Sequence, residues 1–306
     1  MKRNRKKIII LFITLILSLF YYFEDDIYDF FTKEVRKREV KEVIKLEDQD
    51  KFKIYFIDVG EADSTLIYNN GEYALVDAGN NRDGSRLVEY FKFLGVTDIK
   101  YVFGTHIHED HIGGMDNIIR EFNISHYFTT EDKNNTRTFT EIGKSLEEKG
   151  MIVEIPKEGD VFDLSETKIE VLHISQREED LNDTSIVLKV IYKNTSYLLM
   201  ADASKNVEMR ILDKNLKSDL LKLGHHGSRD SSSAQFLRRV NPNFGVISVG
   251  KNNDYHHPHQ VTLDKLKRLD INIYRTDLDG TIIVSSDGTN LYFEKTMTDT
   301  DGNKKD

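Results

Sequence analysis

Thr105-His-Ile-His-Glu-Asp-His-Ile-Gly-Gly114 sets His106, His108, Asp110 and His111 within six residues of one another, directly after the apolar run Tyr101–Phe103. That run reads as a strand, and the segment after it as a loop. In such a loop His106 and His108 can turn to one cation while Asp110 and His111 turn to a second, and the two glycines let the backbone pack closely behind them. Three imidazoles and a carboxylate in so short a stretch would be costly in a core that held no cation. All ten histidines lie between residues 106 and 259, and the chain has no cysteine. A metal must therefore be held by His, Asp, Glu or Asn, and neither disulfides nor thiolate ligands are available.

Outward from this segment, short β-rich runs bounded by Gly, Asn and Asp alternate with helical stretches. The strands expected are Ile54–Val59, Thr65–Tyr68, Tyr73–Asp77, Tyr101–Phe103, Ile152–Ile155, Ile169–His173, Ile186–Tyr192, Tyr197–Met200, Leu220–Leu223, Phe244–Ser248 and Thr281–Val284. The helices expected are Ser85–Leu94, Met115–Phe122, Phe139–Lys149, Lys205–Leu212, Ser232–Val240 and Gln260–Leu269. This mixing, with no Pro/Gly/Ser-rich divider, argues for one α/β domain over residues 51–294, followed by a polar tail at 295–306.

The N-terminus is of another kind. Ile8 to Phe23 is an apolar run of 16 residues interrupted only by Thr14 and Ser18. As a helix it would reach roughly 24 Å, a marginal span for a hydrocarbon core of about 30 Å. Lys2, Arg3, Arg5, Lys6 and Lys7 precede it, and Glu24, Asp25 and Asp26 follow. The positive-inside rule then keeps residues 1–23 as a cytoplasmic stub and single-pass membrane anchor with the rest outside. A cleaved secretory signal is the alternative, although no small-x-small cleavage site follows the apolar run. Residues 24–50 alternate charge with spaced apolar positions, which suits a linker helix.

Net charge is −9; residues 1–50 hold 11 basic and 10 acidic residues, leaving 32 basic against 42 acidic for the remainder. Such a domain lacks the general attraction that nucleic-acid binders use, so a polyanionic substrate would need the metals and a local patch.

The quoted segment matches, at all four positions, the HxHxDH signature of the metallo-β-lactamase fold superfamily, and the chain resembles that superfamily. The resemblance implies an αββα sandwich with metals at one edge. Further segments resemble the hydrolase-like domain of the ComEC/Rec2 competence proteins. Phe56-Ile-Asp-Val-Gly-Glu-Ala-Asp-Ser64 is similar to FxDVGQGDS, with Glu61 and Ala62 departing from Gln and Gly. Val76-Asp-Ala-Gly79, Lys222-Leu-Gly-His-His-Gly-Ser228, Asn253-Asp-Tyr-His-His-Pro-His259 and Arg275-Thr-Asp277 with Gly280 follow in the family's order, His256 replacing a Gly. The membrane channel of full-length uptake proteins is not part of the resemblance, so transport is not implied.

By resemblance, Asp202 in Met-Ala-Asp bridges two metals, and His225 or His226 completes the second site. His226 is the preferred ligand, with His225 either supporting a ligand from behind or binding substrate. A third histidine for the first site is missing from its usual place; Asn182 in Asn-Asp-Thr-Ser185 stands there, with Asp183 and His173 as alternatives. The metal set expected is thus His106, His108, Asp110, His111, Asn182, Asp202 and His226, holding two divalent ions, zinc first and manganese second. Asp77 is expected to orient a ligand histidine, and Asp58 and Asp63 to stabilise the turn beneath. Asp110, His225, Tyr255 and His257 carry the catalytic expectation, with Tyr255 and His257 hydrogen-bonding a substrate oxyanion. Lys222, Ser228 and Arg275 would add a local donor surface.

The mechanism expected is hydrolysis by a metal-bridged hydroxide. A phosphodiester substrate, DNA or an envelope phosphodiester, leads; acyl chemistry on a lactone, thioester or β-lactam and a metal-binding accessory to DNA uptake are the alternatives. No protein partner can be inferred. With no Cys and no Gly-x-Ser-x-Gly elbow, a covalent route has no support.

Overall fold

The computed structural model describes residues 51–176 and 178–296. The anchor expected over 1–23, the linker over 24–50 and the tail from residue 297 lie outside the described residues. Among the described residues no helix is long and apolar enough to cross a membrane.

In chain order the strands are β1 (Phe52–Phe56), β2 (Thr65–Asn69), β3 (Glu72–Val76), β4 (Asp98–Phe103), β5 (Asn123–Phe128), β6 (Val153–Glu154), β7 (Val161–Leu164), β8 (Thr167–His173), β9 (Val187–Tyr192), β10 (Thr195–Leu199), β11 (Leu220–Lys222), β12 (Phe244–Ile247), β13 (Asn272–Arg275), β14 (Thr281–Ser286) and β15 (Leu291–Thr296). The helices are α1 (Gly84–Phe93), α2 (Glu109–Ile112), α3 (Met115–Glu121), α4 (Arg137–Lys149), α5 (Lys205–Arg210), α6 (Ala234–Val240), α7 (Gln260–Arg268) and α8 (Thr276–Asp279). The strands form one sheet in the order β15-β14-β1-β2-β3-β4-β5-β6 and a second in the order β13-β12-β11-β10-β9-β8-β7.

Period-two alternation builds the layers. Phe52, Ile54 and Phe56 of β1 enter one apolar cluster with Ile169, Val171, Leu188, Tyr197 and Leu199 of the second sheet. Tyr55, Ile57 and Val59 turn the other way, into a cluster with Leu87 and Phe91 of α1, Ile118 of α3 and Ile142 of α4. Leu198 and Met200 likewise face Val207 of α5, Phe236 of α6 and Leu266 of α7. Each sheet is therefore buried on both faces, and the layers run helix, sheet, sheet, helix.

Several elements were not anticipated. The peripheral strands β5, β7, β13 and β15 are partly exposed and lack a clean alternation. Strand β15 runs to Thr296, so the domain reaches two residues beyond the expected boundary at 294. The segment after β4 is not all loop: α2 is a single helical turn holding Asp110 and His111. Glycine makes it possible, because a Cβ at Gly113 would lie 2.2 Å from the Asn81 backbone nitrogen, and one at Gly114 would lie 2.4 Å from the Ala78 carbonyl.

Phe52 stacks on Tyr192 at 4.8 Å and also meets Tyr197 between the sheets. Replacing it, Phe52→Ala, should cost about 3–5 kcal/mol in urea unfolding, the usual loss for a buried aromatic. A change below about 1 kcal/mol would mean that the inter-sheet layer is not close-packed there.

Candidate metal centre

The site gathers where chain leaves the C-terminal ends of parallel strands, the usual ligand edge of α/β sheets. β3 pairs parallel with β4, and β10, β11 and β12 pair parallel in turn. Asp77 follows β3, His106 follows β4, Asp202 follows β10, and His225 and His226 follow β11. Asp77, Ala201, His225 and His226 all hold left-handed φ, between 46 and 60°. Each such residue costs about 1–3 kcal/mol and persists only where its surroundings impose it.

Asp110, His111, Asp202 and His226 each offer one ligand atom within 4.8 Å of the others. His111 Nε2 lies 3.3 Å from Asp202 Oδ1, and His226 Nε2 lies 3.3 Å from Asp110 Oδ2 and 3.7 Å from Asp202 Oδ1. His225 Nε2 approaches the other oxygen, Asp202 Oδ2, at 3.7 Å. His106 Nε2 and His108 Nδ1 face each other at 3.0 Å. His111, Asp202 and His226 are buried, whereas 32% of the Asp110 side chain and 27% of that of His225 remain exposed, so the cluster opens on that side.

Behind the cluster, His111 and His226 are each held at the far nitrogen. His111 Nδ1 donates to Asp77 Oδ2 at 2.7 Å, the contact expected of Asp77. Asp77 also accepts from the Thr105 backbone and hydroxyl at 2.8 Å each, which ties β3 to the histidine loop. His226 Nδ1 donates to the Ser248 carbonyl at 3.0 Å. Donation at one nitrogen fixes which nitrogen faces the cluster.

Charges follow from this crowding. Burial, which alone would lower the His111 pKa, is outweighed by Asp202, Asp77 and Asp110, and it rises well above the usual value. His226 is pushed up to about 9 by Asp202 and Asp110 against the same burial cost. Asp202 falls well below the ordinary carboxylate range because His111 and His226 outweigh its own burial. Burial and the neighbouring His111 hold His106 neutral.

The donor set fits a divalent metal. Imidazole nitrogens and carboxylate oxygens are ligands for zinc and manganese, and His111 Nε2 and Asp202 Oδ1 are buried without a hydrogen-bond partner. Asn182 lies in the turn Leu181–Thr184, just before Ser185, whose hydroxyl accepts from the Asp202 backbone at 3.3 Å. Its Oδ1 is also buried without a partner. His173 ends β8 and pairs with Glu158 at 2.8 Å.

Other groups depart from expectation. Lys222 is not a surface donor: it is buried and pairs with Asp63 at 2.7 Å, whose second oxygen lies 3.7 Å from His226 Nδ1. Ser228 is buried and Arg275 is bound to Asp277. Glu61, read only as a departure from Gln, receives His257 Nδ1 at 2.9 Å and the Gly250 N–H at 2.7 Å. The His257 ring lies 5.4 Å from that of His225 and stacks against exposed Tyr255 at 5.6 Å. An acid at position 61 and a histidine at 257 gave no local signal of pairing.

The family model for the metallo-beta-lactamase superfamily matches residues 57–251. This chain belongs to that superfamily. Its fold binds metal ions, which agrees with the His/Asp groups described. The chain is 29% identical over 253 residues to ComE operon protein 3 of Bacillus subtilis, covering 74% of this chain and 32% of that protein. It is 28% identical over 237 residues to Recombination protein 2 of Haemophilus influenzae, covering 75% and 28%. It is 38% identical over 117 residues to Competence protein ComA of Neisseria gonorrhoeae, covering 37% and 17%. The chain thus spans about a third or less of the curated relatives it matches. Among solved structures, the metallo-beta-lactamase fold protein YhfI of Bacillus subtilis superposes with TM-score 0.51 at 10% identity, over 79% of this chain and 100% of that one. The diiron β-hydroxylase CmlA of Streptomyces venezuelae gives 0.53 at 14% identity, over 80% and 54%. Both similarities concern the fold.

The raised His226 pKa makes the metal-free protein sensitive to pH. Its contribution to stability is full below the unfolded value of about 6.5 and is lost as pH rises through about 9. Urea midpoints in chelator should therefore fall across that interval, while zinc affinity, which needs neutral imidazole, should rise. A flat profile for both would show that His226 is not coupled to the carboxylates.

Proposed function

We propose that this superfamily member hydrolyses phosphodiester bonds, with a nucleic-acid strand as substrate, using two divalent cations held by His106, His108, Asp110, His111, Asn182, Asp202 and His226. The convergence of Asp110, His111, Asp202 and His226 in one cluster, with His111 Nε2 and Asp202 Oδ1 buried without hydrogen-bond partners, carries the reading. Two cations there would lower the pKa of a water toward about 7 and stabilise charge developing on a phosphoryl oxygen.

The chain's own groups supply positioning and proton handling. Asp202 faces His111 and His226 with one oxygen and His225 with the other, so it spans both halves of the site. Asp77 keeps His111 in one tautomer. Glu61, by taking the Nδ1 proton of His257, leaves Nε2 as the nitrogen that can exchange a proton with substrate. Tyr255 and His225, both partly exposed beside His257, are placed to donate to phosphoryl oxygens. Relatives named for recombination and for competence favour DNA over an acyl substrate. The apolar run 8–23, with basic residues before and acidic residues after, favours tethering of the domain outside the membrane.

The full chain loaded with zinc or manganese should cleave bis(p-nitrophenyl) phosphate and a single-stranded oligonucleotide. His108→Ala and Asp202→Ala should each lose more than about 100-fold, the scale of the several kcal/mol that a bound cation supplies. Asp77→Asn should weaken metal affinity by about 10–100-fold. Equal activity in wild type and both alanine variants would remove the mechanism. Cleavage of a β-lactam but of no phosphodiester would move the chain to acyl chemistry, and two bound metals without turnover would make it a binding module.

A further inference from the structure

Lys222 ends β11 on the face it shares with Leu220, which enters the apolar cluster between the sheets. Its side chain is 2% exposed, and its ammonium donates to Asp63 Oδ2 at 2.7 Å and to the Leu223 carbonyl at 3.3 Å. Asp63 belongs to the segment between β1 and β2 of the other sheet, so the ion pair joins the two layers. Two ions are costly to desolvate, and apolar side chains of similar volume often serve a core as well or better. Stability alone therefore does not account for a lysine where Leu220 sets the pattern.

Asp63 stands where the segments that build the metal cluster meet. Its N–H donates to the Asp110 carbonyl at 3.0 Å, and its own carbonyl accepts from Gly79, two residues beyond Asp77, at 2.8 Å. Ala78, between those two, donates to the His111 carbonyl at 2.7 Å. Asp63 Oδ1 is buried without a hydrogen-bond partner. It lies 3.7 Å from His226 Nδ1, too far for a hydrogen bond. That nitrogen donates instead to the Ser248 carbonyl at 3.0 Å, which turns Nε2 toward Asp110 and Asp202. Two acceptors thus stand near one N–H, and a charged acceptor makes the stronger bond. The neutral carbonyl nevertheless holds the ring.

We propose that Lys222 is a positioning residue for the metal centre: by holding Asp63 it keeps that carboxylate from drawing the His226 ring off the Ser248 carbonyl, and so keeps Nε2 aimed at the cation. The inference rests on the reading that His226 ligates a metal, and it is independent of the substrate. The imidazole is rigid, so a ring that turns to Asp63 at Nδ1 carries Nε2 away from Asp110 and Asp202. Lysine suits the task as a compact charge on a long stem, able to cross between the sheets and meet one oxygen. The backbone bonds of Asp63 to Asp110 and Gly79 do not depend on that charge. Loss of the ammonium therefore frees the carboxylate while leaving the segments joined.

The test is metal binding by the full chain. Lys222→Met, which keeps a long stem without the ammonium, is titrated with zinc against a chromophoric chelator and, separately, with cobalt(II), whose visible absorption reports ligand geometry. Zinc affinity should fall about 10–100-fold, the usual loss when the support of a ligand histidine is disturbed, and the cobalt absorption should shift. Adding Asp63→Asn, which takes away the competing charge, should recover most of the affinity and the wild-type absorption, whereas independent losses from a loosened fold would add. Lys222→Gln keeps an N–H donor toward Asp63 and serves where the methionine variant does not fold. Its loss should be smaller and likewise recovered by Asp63→Asn. Unchanged affinity and absorption in the Lys222 variants would overturn the proposal, even with a lower urea midpoint. A double variant no better than its Lys222 single variant would overturn it too. A wild type that binds no metal would remove the metal reading and this proposal together. Affinity lost and recovered as expected, without turnover of any phosphodiester by the wild type, would uphold the positioning role while removing the hydrolase reading.

Discussion

Desolvating Asp77 and Asp202 beside Asp110 costs several kcal/mol per ion unless positive charge sits among them. The fold supplies that charge from His111 and His226 and leaves space where their nitrogens and the carboxylate oxygens face one another. Protons fill the role in the absence of a metal, which is why His111 and His226 hold theirs so firmly. A divalent cation meets the same demand with more charge and lets both imidazoles be neutral. The supports behind the cluster keep these donors aimed at one point: Asp77 on His111, the Ser248 carbonyl on His226, and Thr105 on Asp77.

Much of this arrangement could be read along the chain, for particular reasons. His106, His108, Asp110 and His111 are neighbours in sequence, so their chemistry is visible in a ten-residue window. Buried strands such as β9 and β10 are recognisable as apolar β-branched or aromatic runs, and α1 and α4 by their spacing. The peripheral strands β5, β7, β13 and β15 escape because a half-exposed strand carries mixed residues on both faces. Pairs made across the fold escape for a different reason. Glu61 and His257 are 196 residues apart, and Asp63 and Lys222 are 159 apart; no local pattern joins them, and a buried lysine looks in sequence like a surface one.

The same long reach shapes the surroundings of the metal cluster. Its exposed members, Asp110 and His225, mark the side on which the cluster opens to solvent. Beside them, Glu61 links His257 on one hand and the Gly250 backbone on the other, so a single carboxylate ties the segment after β12 to the segment after β1. A groove with Arg82, Arg86 and Lys251 is built from those two segments and the start of α1. Shape and charge at the reaction edge thus depend on the meeting of strand ends from both sheets.

The order of strands has a kinetic consequence. β1 lies in the middle of its sheet, flanked by β2 and by β14, so Lys53 pairs with Ser285. The central hydrogen-bonded ladder therefore joins the beginning of the domain to its end, and loop closure on that scale is slow because its entropy is lost before the contacts form. Until β14 has emerged, β1 has one open edge, a state prone to pair with other chains.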